Sequence, residues 1–567
     1  MKKISLIFAA SFLCTGISAQ EINKEITLDK EIIPEVRAAS RPNTAPSVIR
    51  PEVAHSPLML SDNEMTVGIP PYLTRLAAAN TLPAVTVSPY KGYVRAGYFP
   101  AYNLGLSAGY QVVSDSVNRF NIFGQFNGFS YKRKFDGERK RKVTDNTGFI
   151  GADYTRHFNR YQRLDLDLGL LFSSTKLGYE LPEDIPVPDD NKNSAFGINF
   201  SGVWHSGTET ESYYAGLSAE YFSNSPGKHG GEDALKGISQ GLYKALFGIC
   251  YHGFSIDVTA GLNSINRLNV YQKDENRNDV YEYPTEGKSK TAFVVSAVPA
   301  YTFRSENATA KIGVNLDYLS ALGKNFSIAP DIRAAVAPTS FFSAYLNLTG
   351  GTELNTAATL YSYSHFTDPR IAYKASDVPL KAELGLVFGQ FKGFSAEIHA
   401  GYAVANDWLM PALFSPDPEG MNAYVPVDLK GWCAGVRLKY EYSGFLTARA
   451  GITFAPQSQE KGWLEWRDRA KQVLDIDLSV RPIKQLSVNA GWELRMKRAE
   501  SCLSGNDIFI LGDLDDLSDL HVGAEYNFSD SFSVIANVNN ILNKKALLMG
   551  NIPAQGLTGF LGVSYLF

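Results

Sequence analysis

From about residue 90 onward the chain is written in period two. Leu164, Leu166, Leu168, Leu170 and Phe172 interleave with Asp165, Asp167 and Gly169, and Leu474, Ile476, Leu478 and Val480 interleave with Asp475, Asp477, Ser479 and Arg481. The same reading gives Trp432, Ala434, Val436, Leu438 and Tyr440 against Cys433, Arg437, Lys439 and Glu441. Leu486, Val488, Ala490, Trp492, Leu494 and Met496 likewise face away from Asn489, Glu493, Arg495 and Lys497. Successive side chains of a strand point to opposite faces, so each run has one apolar and one charged face. A soluble sandwich also alternates, but here nearly every polar face carries formal charge, and runs of about ten residues match a tilted strand crossing a bilayer. After the first twenty positions no stretch of about 20 apolar residues occurs, which excludes helical spans. A soluble chain of 567 residues would divide into several cores, whereas one wide barrel accommodates them in a single wall. The mean hydropathy of -0.14, beside 12% aromatic residues, follows from apolar and polar faces averaging out.

The connections alternate as well. Tight turns fall at Asn159-Arg160-Tyr161, His252-Gly253, Lys392-Gly393, Ser443-Gly444 and Pro482-Ile483-Lys484. Long polar stretches fall between them, near 134–146, 181–193, 224–238, 271–290, 406–429, 456–471 and 499–517. Short turns on one rim and long loops on the other are the pattern of outer-membrane barrels. The expected fold is all-β: a transmembrane antiparallel outer-membrane β-barrel of about 22 strands spanning residues 90–567, with both termini on the periplasmic side. About 20 strands is the alternative, because residues 321–377 parse poorly.

The final segment places Leu561, Val563, Tyr565 and Phe567 on one face and Phe560, Gly562, Ser564 and Leu566 on the other. Upstream lies Ser533-Val534-Ile535-Ala536-Asn537-Val538-Asn539-Asn540-Ile541-Leu542-Asn543-Lys544-Lys545. This pair of elements resembles the penultimate strand, its NxxNLxNKKY turn and the last strand of TonB-dependent receptor barrels, with Ala546 where that family has Tyr. The resemblance implies that Leu561, Val563, Tyr565 and Phe567 form the C-terminal signal read by the barrel-assembly machinery. It also implies a receptor-like transport function.

Residues 1–19 read as a secretory signal: Lys2 and Lys3, the apolar stretch from Ile4 to Leu13, then Ile17-Ser18-Ala19 before Gln20. Leu13 stands before Cys14 where a lipoprotein signal needs a small residue. Residues 20–89 form a proline-rich segment, with Pro34, Pro42, Pro46, Pro51, Pro57, Pro70, Pro71, Pro83 and Pro89, which favours extended chain over helix or central strand. Val48, Ile49, Val53, Leu58, Met59, Leu60, Leu73 and Leu76 make it too apolar for a purely solvated tail. It reads as a periplasmic leader, a lumen insert or an arm that docks envelope partner proteins. The segment is too short for the folded plug domain of the receptors that the C-terminus resembles, and it holds no convincing TonB box.

Candidate chemistry is sparse. Cys250, Cys433 and Cys502 are odd in number, widely spaced and lack metal-ligand spacing, so neither a disulfide framework nor a metal site is implied. No GxSxG, phosphate-binding glycine loop or HExxH is present, and the chain reads as a non-enzyme without cofactor. A net charge of -4 argues against a nucleic-acid partner. The basic stretch Lys132-Arg133-Lys134 to Arg139-Lys140-Arg141-Lys142 precedes acidic Glu183, Asp184, Asp189 and Asp190. Solvated loops, mutual pairing and contact with lipopolysaccharide at the outer-membrane lipid surface all fit it. The polar faces assign a lumen lining of Asp165, Asp167, Glu383, Glu397, His399, Arg437, Lys439, Arg449, Asp475, Asp477, Glu493 and Arg495. Of these, Glu383, Glu397 and His399 also fit an acid, base or metal cluster, although any polar barrel lining supplies such residues. The leading reading is a plug-less, TonB-receptor-like barrel of a Gram-negative outer membrane that passes or binds a ligand through its lumen. A structural or assembly platform for other envelope proteins is the alternative. Either residues 20–89 fill the lumen or inward-folded loops close it, foremost the segment between Leu354 and Asp377.

Overall fold

The structure, a computed structural model, describes residues 90–567 except 101, 135–139, 180–191, 209, 227–236, 269–271, 274–278, 281–287, 367–372, 415–422, 459, 505–506 and 549–551. The signal and the proline-rich segment lie outside the described residues. Twenty-two antiparallel strands form one closed barrel, from Gly92–Phe99 to Thr558–Leu566. Each strand pairs with its neighbours in sequence, and the ring closes where Tyr93 meets Leu566 and Tyr98 meets Leu561. Phe567 tightens that seam: Lys91 and Gly92 donate backbone hydrogen bonds to its carbonyl, and its ring stacks on Tyr110.

Alternation maps onto the wall as physical chemistry requires. Leu168, Phe172, Trp432, Ile476, Leu478 and Leu561 are exposed on the outside, where lipid would meet them. Their chain neighbours point into the lumen. The short-turn rim carries exposed aromatics, including Phe158, Tyr161, Tyr251, Phe341, Phe391 and Phe528. Arg156, Arg160 and Lys392 lie over the rings of Phe158, Tyr161 and Phe391 at 5.2, 5.8 and 5.6 Å. Such amphipathic pairs suit a headgroup interface, with the ring in hydrocarbon and the charge in water. The turns themselves need left-handed backbone. His252-Gly253 and Lys392-Gly393 have φ of 48°, 88°, 49° and 84°, the positive pair of a two-residue hairpin turn, and glycine takes the second place at no steric cost.

The opposite rim departs from the expected loop boundaries. Strands Lys140–Asn159 and Ala423–Tyr442 hold 20 residues each and Phe394–Phe414 holds 21. A strand that long, tilted by about 45°, rises on the order of 45 Å and stands well above an apolar band of about 25 Å. Much of the chain expected as loops at 134–146 and 406–429 is therefore strand, because polar residues pair as well above a membrane as within it. The basic stretch is mainly two strand tips, with Lys132 opposite Lys142 and Lys134 opposite Lys140. Its Arg133 is buried and turned inward. A hairpin, Arg498–Ser504 with Asp507–Leu514, adds to this rim by pairing in parallel with the end of Phe394–Phe414. The only helix among the described residues, Ala357–Tyr363, follows the thirteenth strand, Phe342–Glu353.

Candidate functional site

The inner wall comes first. On the strands from Phe342–Glu353 to Leu517–Asn527, inward side chains carry a set of paired polar groups below an apolar patch. Tyr345 donates to Glu397 at 2.7 Å, and Arg437 donates to the same carboxylate at 3.1 Å. Room for this contact comes from Gly385, since a Cβ there would collide with the Tyr345 ring. His399 sits 3.3 Å from the Thr453 hydroxyl through Nε2. Glu383 pairs with Lys381 at 3.2 Å, and Lys439 with Glu441 at 2.6 Å. Glu383, Glu397 and His399 thus have separate partners, and among the described residues no group of three or more His, Cys, Asp or Glu is placed to hold a metal. Arg449 stands opposite Asp477, and Asp475 opposite Glu493. On the far wall Asp165 accepts from Thr155 at 3.0 Å and from Arg163 at 2.7 Å, and Asp167 faces Asp153 across the strand pair. Asp165 and Asp167 share a strand face with Ser173 and Thr175, which contact chain inside the barrel.

That interior chain is the second component, and it lies toward the rim with the long connections. Residues 354–366 leave the wall and turn inward. Thr356 caps the helix by accepting from the Thr359 N–H at 3.1 Å. Leu360 is fully buried against Phe222, Ile238, Ile265 and Leu409, residues contributed by several wall strands. Tyr361 donates to Ser173 at 2.7 Å on the fifth strand, Gln162–Tyr179, and its ring meets Phe222 at 5.4 Å. His365 Nδ1 lies 2.7 Å from Asp145, and its carbonyl accepts from Thr175 and Asn193. A segment rooted on the thirteenth strand and fastened to the fifth crosses the lumen, because those strands lie well apart around the ring.

Two further connections fold in beside it. In segment 455–471, Trp463, Leu464 and Trp466 bury themselves against Ala403, Ala405, Trp408, Leu429 and Cys433. Glycine on the wall permits the approach: a Cβ at Gly401 would meet Trp463 at 2.5 Å, and one at Gly431 would collide with the Gly462 carbonyl. Lys381 reaches from the wall to Glu465 of this segment. In segment 540–557, Asn540 and Asn543 hold φ of 46° and 48°, a conformation Asn tolerates better than most residues. Asn540 donates to the Gln555 carbonyl at 2.7 Å and Asn543 accepts from the Leu557 N–H at 3.2 Å, stapling the segment to itself. Its position on the wall is set by Arg133, whose guanidinium donates to the carbonyls of Asn543, Lys544 and Ala554.

Buried arginines join the segments. Arg467 spreads over the Tyr363 ring at 4.0 Å and the Trp408 ring at 5.0 Å while donating to the Leu409 carbonyl. Asp468 receives Arg495 through two bonds of 2.7 and 2.6 Å and Arg498 through one of 2.9 Å. Burial alone would push the Asp468 carboxyl up, and the two guanidiniums more than offset it, holding it well below the usual carboxylate range. Arg498, wholly buried, also donates to the carbonyls of Asp515, Leu547 and Leu548. Apart from Arg495, none of these joining residues stands out in the sequence. Tyr361, His365, Arg467, Asp468 and Arg498 lie in or beside connections, where no periodicity marks them. The available signals are local: Thr356 before Ala-Ala-Thr-Leu-Tyr, and the apolar Trp463-Leu464-Glu465-Trp466 inside a polar stretch.

No protein-family model and no curated protein matches the chain in sequence. Solved structures do match in fold. The FrpB iron transporter of Neisseria meningitidis aligns with a TM-score of 0.60 at 11% identity, over 85% of this chain and 82% of its own. A mutant of the ferric enterobactin receptor PfeA of Pseudomonas aeruginosa aligns at 0.56 and 12% identity, over 84% and 80%. FpvAI, in its complex with pyocin S2, aligns at 0.56 and 12%, over 84% and 73%. The chain has the 22-stranded barrel fold of TonB-dependent receptors, the family its C-terminal strands resemble.

Proposed function

We propose that this protein is an outer-membrane barrel that binds or passes a ligand through a polar lumen, and that its own outer connections close the mouth. The observation that carries the reading is the stretch 354–366, which leaves the thirteenth strand and is fastened to the far wall by Tyr361 and His365. A 22-stranded barrel encloses a lumen too wide to be filled by wall side chains alone. Receptor-type barrels of this size are plugged, and here inward-folded connections supply closure at the outer end. The wall beneath, with Glu383, Glu397, His399, Arg437, Arg449, Asp475, Asp477 and Glu493, offers both signs of charge to a polar ligand. The similarity in fold to an iron transporter and to a ferric enterobactin receptor supports a transport role and leaves the ligand's chemistry open.

The wall permits a clean test. Glu353 and Ser376 are register partners, so residues 354–375 can be replaced by a short glycine-containing turn that closes a hairpin between the two strands. In planar bilayers the excised barrel should conduct ions steadily where the intact protein conducts little. Equal conductance of the two would overturn closure by this segment. Removing residues 20–89 is the companion measurement: a rise in conductance gives that segment a share in filling the lumen. Loss of co-purifying envelope proteins with unchanged conductance would favour the platform reading.

A further inference from the structure

We infer that the dipeptide Arg467-Asp468 is the node through which the inward segments open and close as one unit, so that displacing one releases the others. The inference rests on the reading of these segments as the closure of the mouth. Adjacent side chains of the dipeptide address different segments. Arg467 holds the helix Ala357–Tyr363 by stacking on Tyr363, and ties it to the wall through Trp408 and the Leu409 carbonyl. Asp468 holds Arg495 and Arg498, and Arg498 in turn holds the Leu547 and Leu548 carbonyls of 540–557 and the Asp515 carbonyl of a third connection. Arg495 fixes the node to the wall from strand Leu486–Met496.

The physical argument concerns what is left behind. Arg498 is fully buried and Arg495 nearly so, with side-chain exposures of 0% and 6%. A buried guanidinium that loses its carboxylate is not stable in place, because the low-dielectric surroundings then hold an uncompensated charge. If the 455–471 segment moves outward, Asp468 leaves with it. Arg498 must then turn toward water, and the carbonyls of 540–557 lose their donor. The same displacement pulls Arg467 from Tyr363 and loosens the C-terminal end of the helix. Movement of one segment therefore removes a shared contact from each of the others, leaving them only their separate fastenings at Tyr361, His365 and Arg133, and so biases them toward leaving together, which is the condition for a two-state element. A ligand displacing any one of the segments would gain access past all of them.

Hydrogen exchange on the purified full-length barrel, read by mass spectrometry, separates a coupled closure from independent loops. Arg467→Gln touches only the helix side of the node, and Asp468→Asn only the Arg498 side. Coupling predicts that each substitution speeds exchange in both 357–363 and 543–548, by about tenfold or more over the parent, with wall amides such as those of 164–172 unchanged. Arg467→Lys keeps the charge but cannot spread over two rings while bonding Leu409, and should give a smaller rise in the same two segments. Should Arg467→Gln or Arg467→Lys act on 357–363 alone and Asp468→Asn on 543–548 alone, the segments move independently and the inference fails. The readout needs no transport. A negative result here leaves the conductance test of the closed mouth standing, and a failed conductance test leaves this one interpretable.

Discussion

Leu168 and Asp167 are chain neighbours on opposite faces of one strand, and replacing each by arginine measures the membrane that the wall is built for. Leu168 is exposed on the outside between Ala152 and Phe200 of the adjoining strands. The aromatic rim nearby is marked by Tyr161, just before strand Gln162–Tyr179 begins. At about 2.5 Å of vertical rise per residue for a strand tilted near 40°, Leu168 lies about 15 Å above the strand's start, close to the middle of an apolar band about 25 Å tall. Arginine at that depth on the lipid face costs about 2 to 4 kcal/mol. Asp167 points inward and stands directly opposite Asp153, a like-charge pair that opposes folding, so arginine there converts repulsion into attraction worth about 0.2 to 1 kcal/mol. The two variants should therefore differ by about 2 to 5 kcal/mol, with Leu168→Arg the less stable. Reversible urea unfolding of the barrel in lipid vesicles, followed by tryptophan fluorescence, gives both values on one scale. Variants that agree to within about 0.5 kcal/mol, or an Asp167→Arg that is the more damaging, would refute both the face assignment and the bilayer as the solvent of the outer wall.

Two further expectations concern the mouth and the seam. Asp468→Asn removes the charge that two buried guanidiniums need, and should destabilise the packed connections by about 3 kcal/mol or more, read as local unfolding with the wall intact. Because Asp468 is held below the usual carboxylate range, its contribution is fully present above about pH 4 and is lost as the pH falls toward its depressed folded value; the closed mouth should be flat from about pH 5 to 8 and loosen only in strong acid, and the Asn variant should lose that acid step, which pH-dependent exchange would reveal. Deleting Phe567 takes away the carbonyl that Lys91 and Gly92 bond and the ring stacked on Tyr110, so membrane-inserted barrel should fall while export continues; unchanged heat-modifiable migration on gels would count against the terminal residue as an assembly signal.

The wall is legible in the sequence because a single rule writes it. Wherever lipid lies on one side and water on the other, a strand has no choice but to alternate, and Leu164 to Phe172 or Leu474 to Val480 announce their faces without reference to any partner. A strand number of about 22, with 20 as the alternative where 321–377 parse poorly, follows from the same rule together with turn pairs such as His252-Gly253 and Lys392-Gly393, whose backbone demands are local. The height of the wall does not follow, since above the bilayer both faces meet water and the alternation that marks a strand fades; the tips at Lys132–Lys134 and Lys140–Lys142 look like a loop in sequence for that reason.

The interior of the mouth is hidden for a different physical reason. Its contacts join residues that are far apart in the chain and obey no period: Tyr361 with Ser173, His365 with Asp145, Arg133 with Ala554. Each is built from a side chain that also suits a solvated loop, and only burial turns it into a joint. An arginine in a polar stretch is ordinary by composition. The same arginine with no solvent exposure and bonds to four different residues, as at Arg498, is held where it is by partners that offset the cost of taking its charge out of water. The wall residues that alternation picks out are then those that any polar lumen would offer, common to every strand. The connections carry what is particular to this chain, and under the proposed closure of the mouth a ligand arriving from the outer side would have to displace the contacts of Arg467 and Asp468.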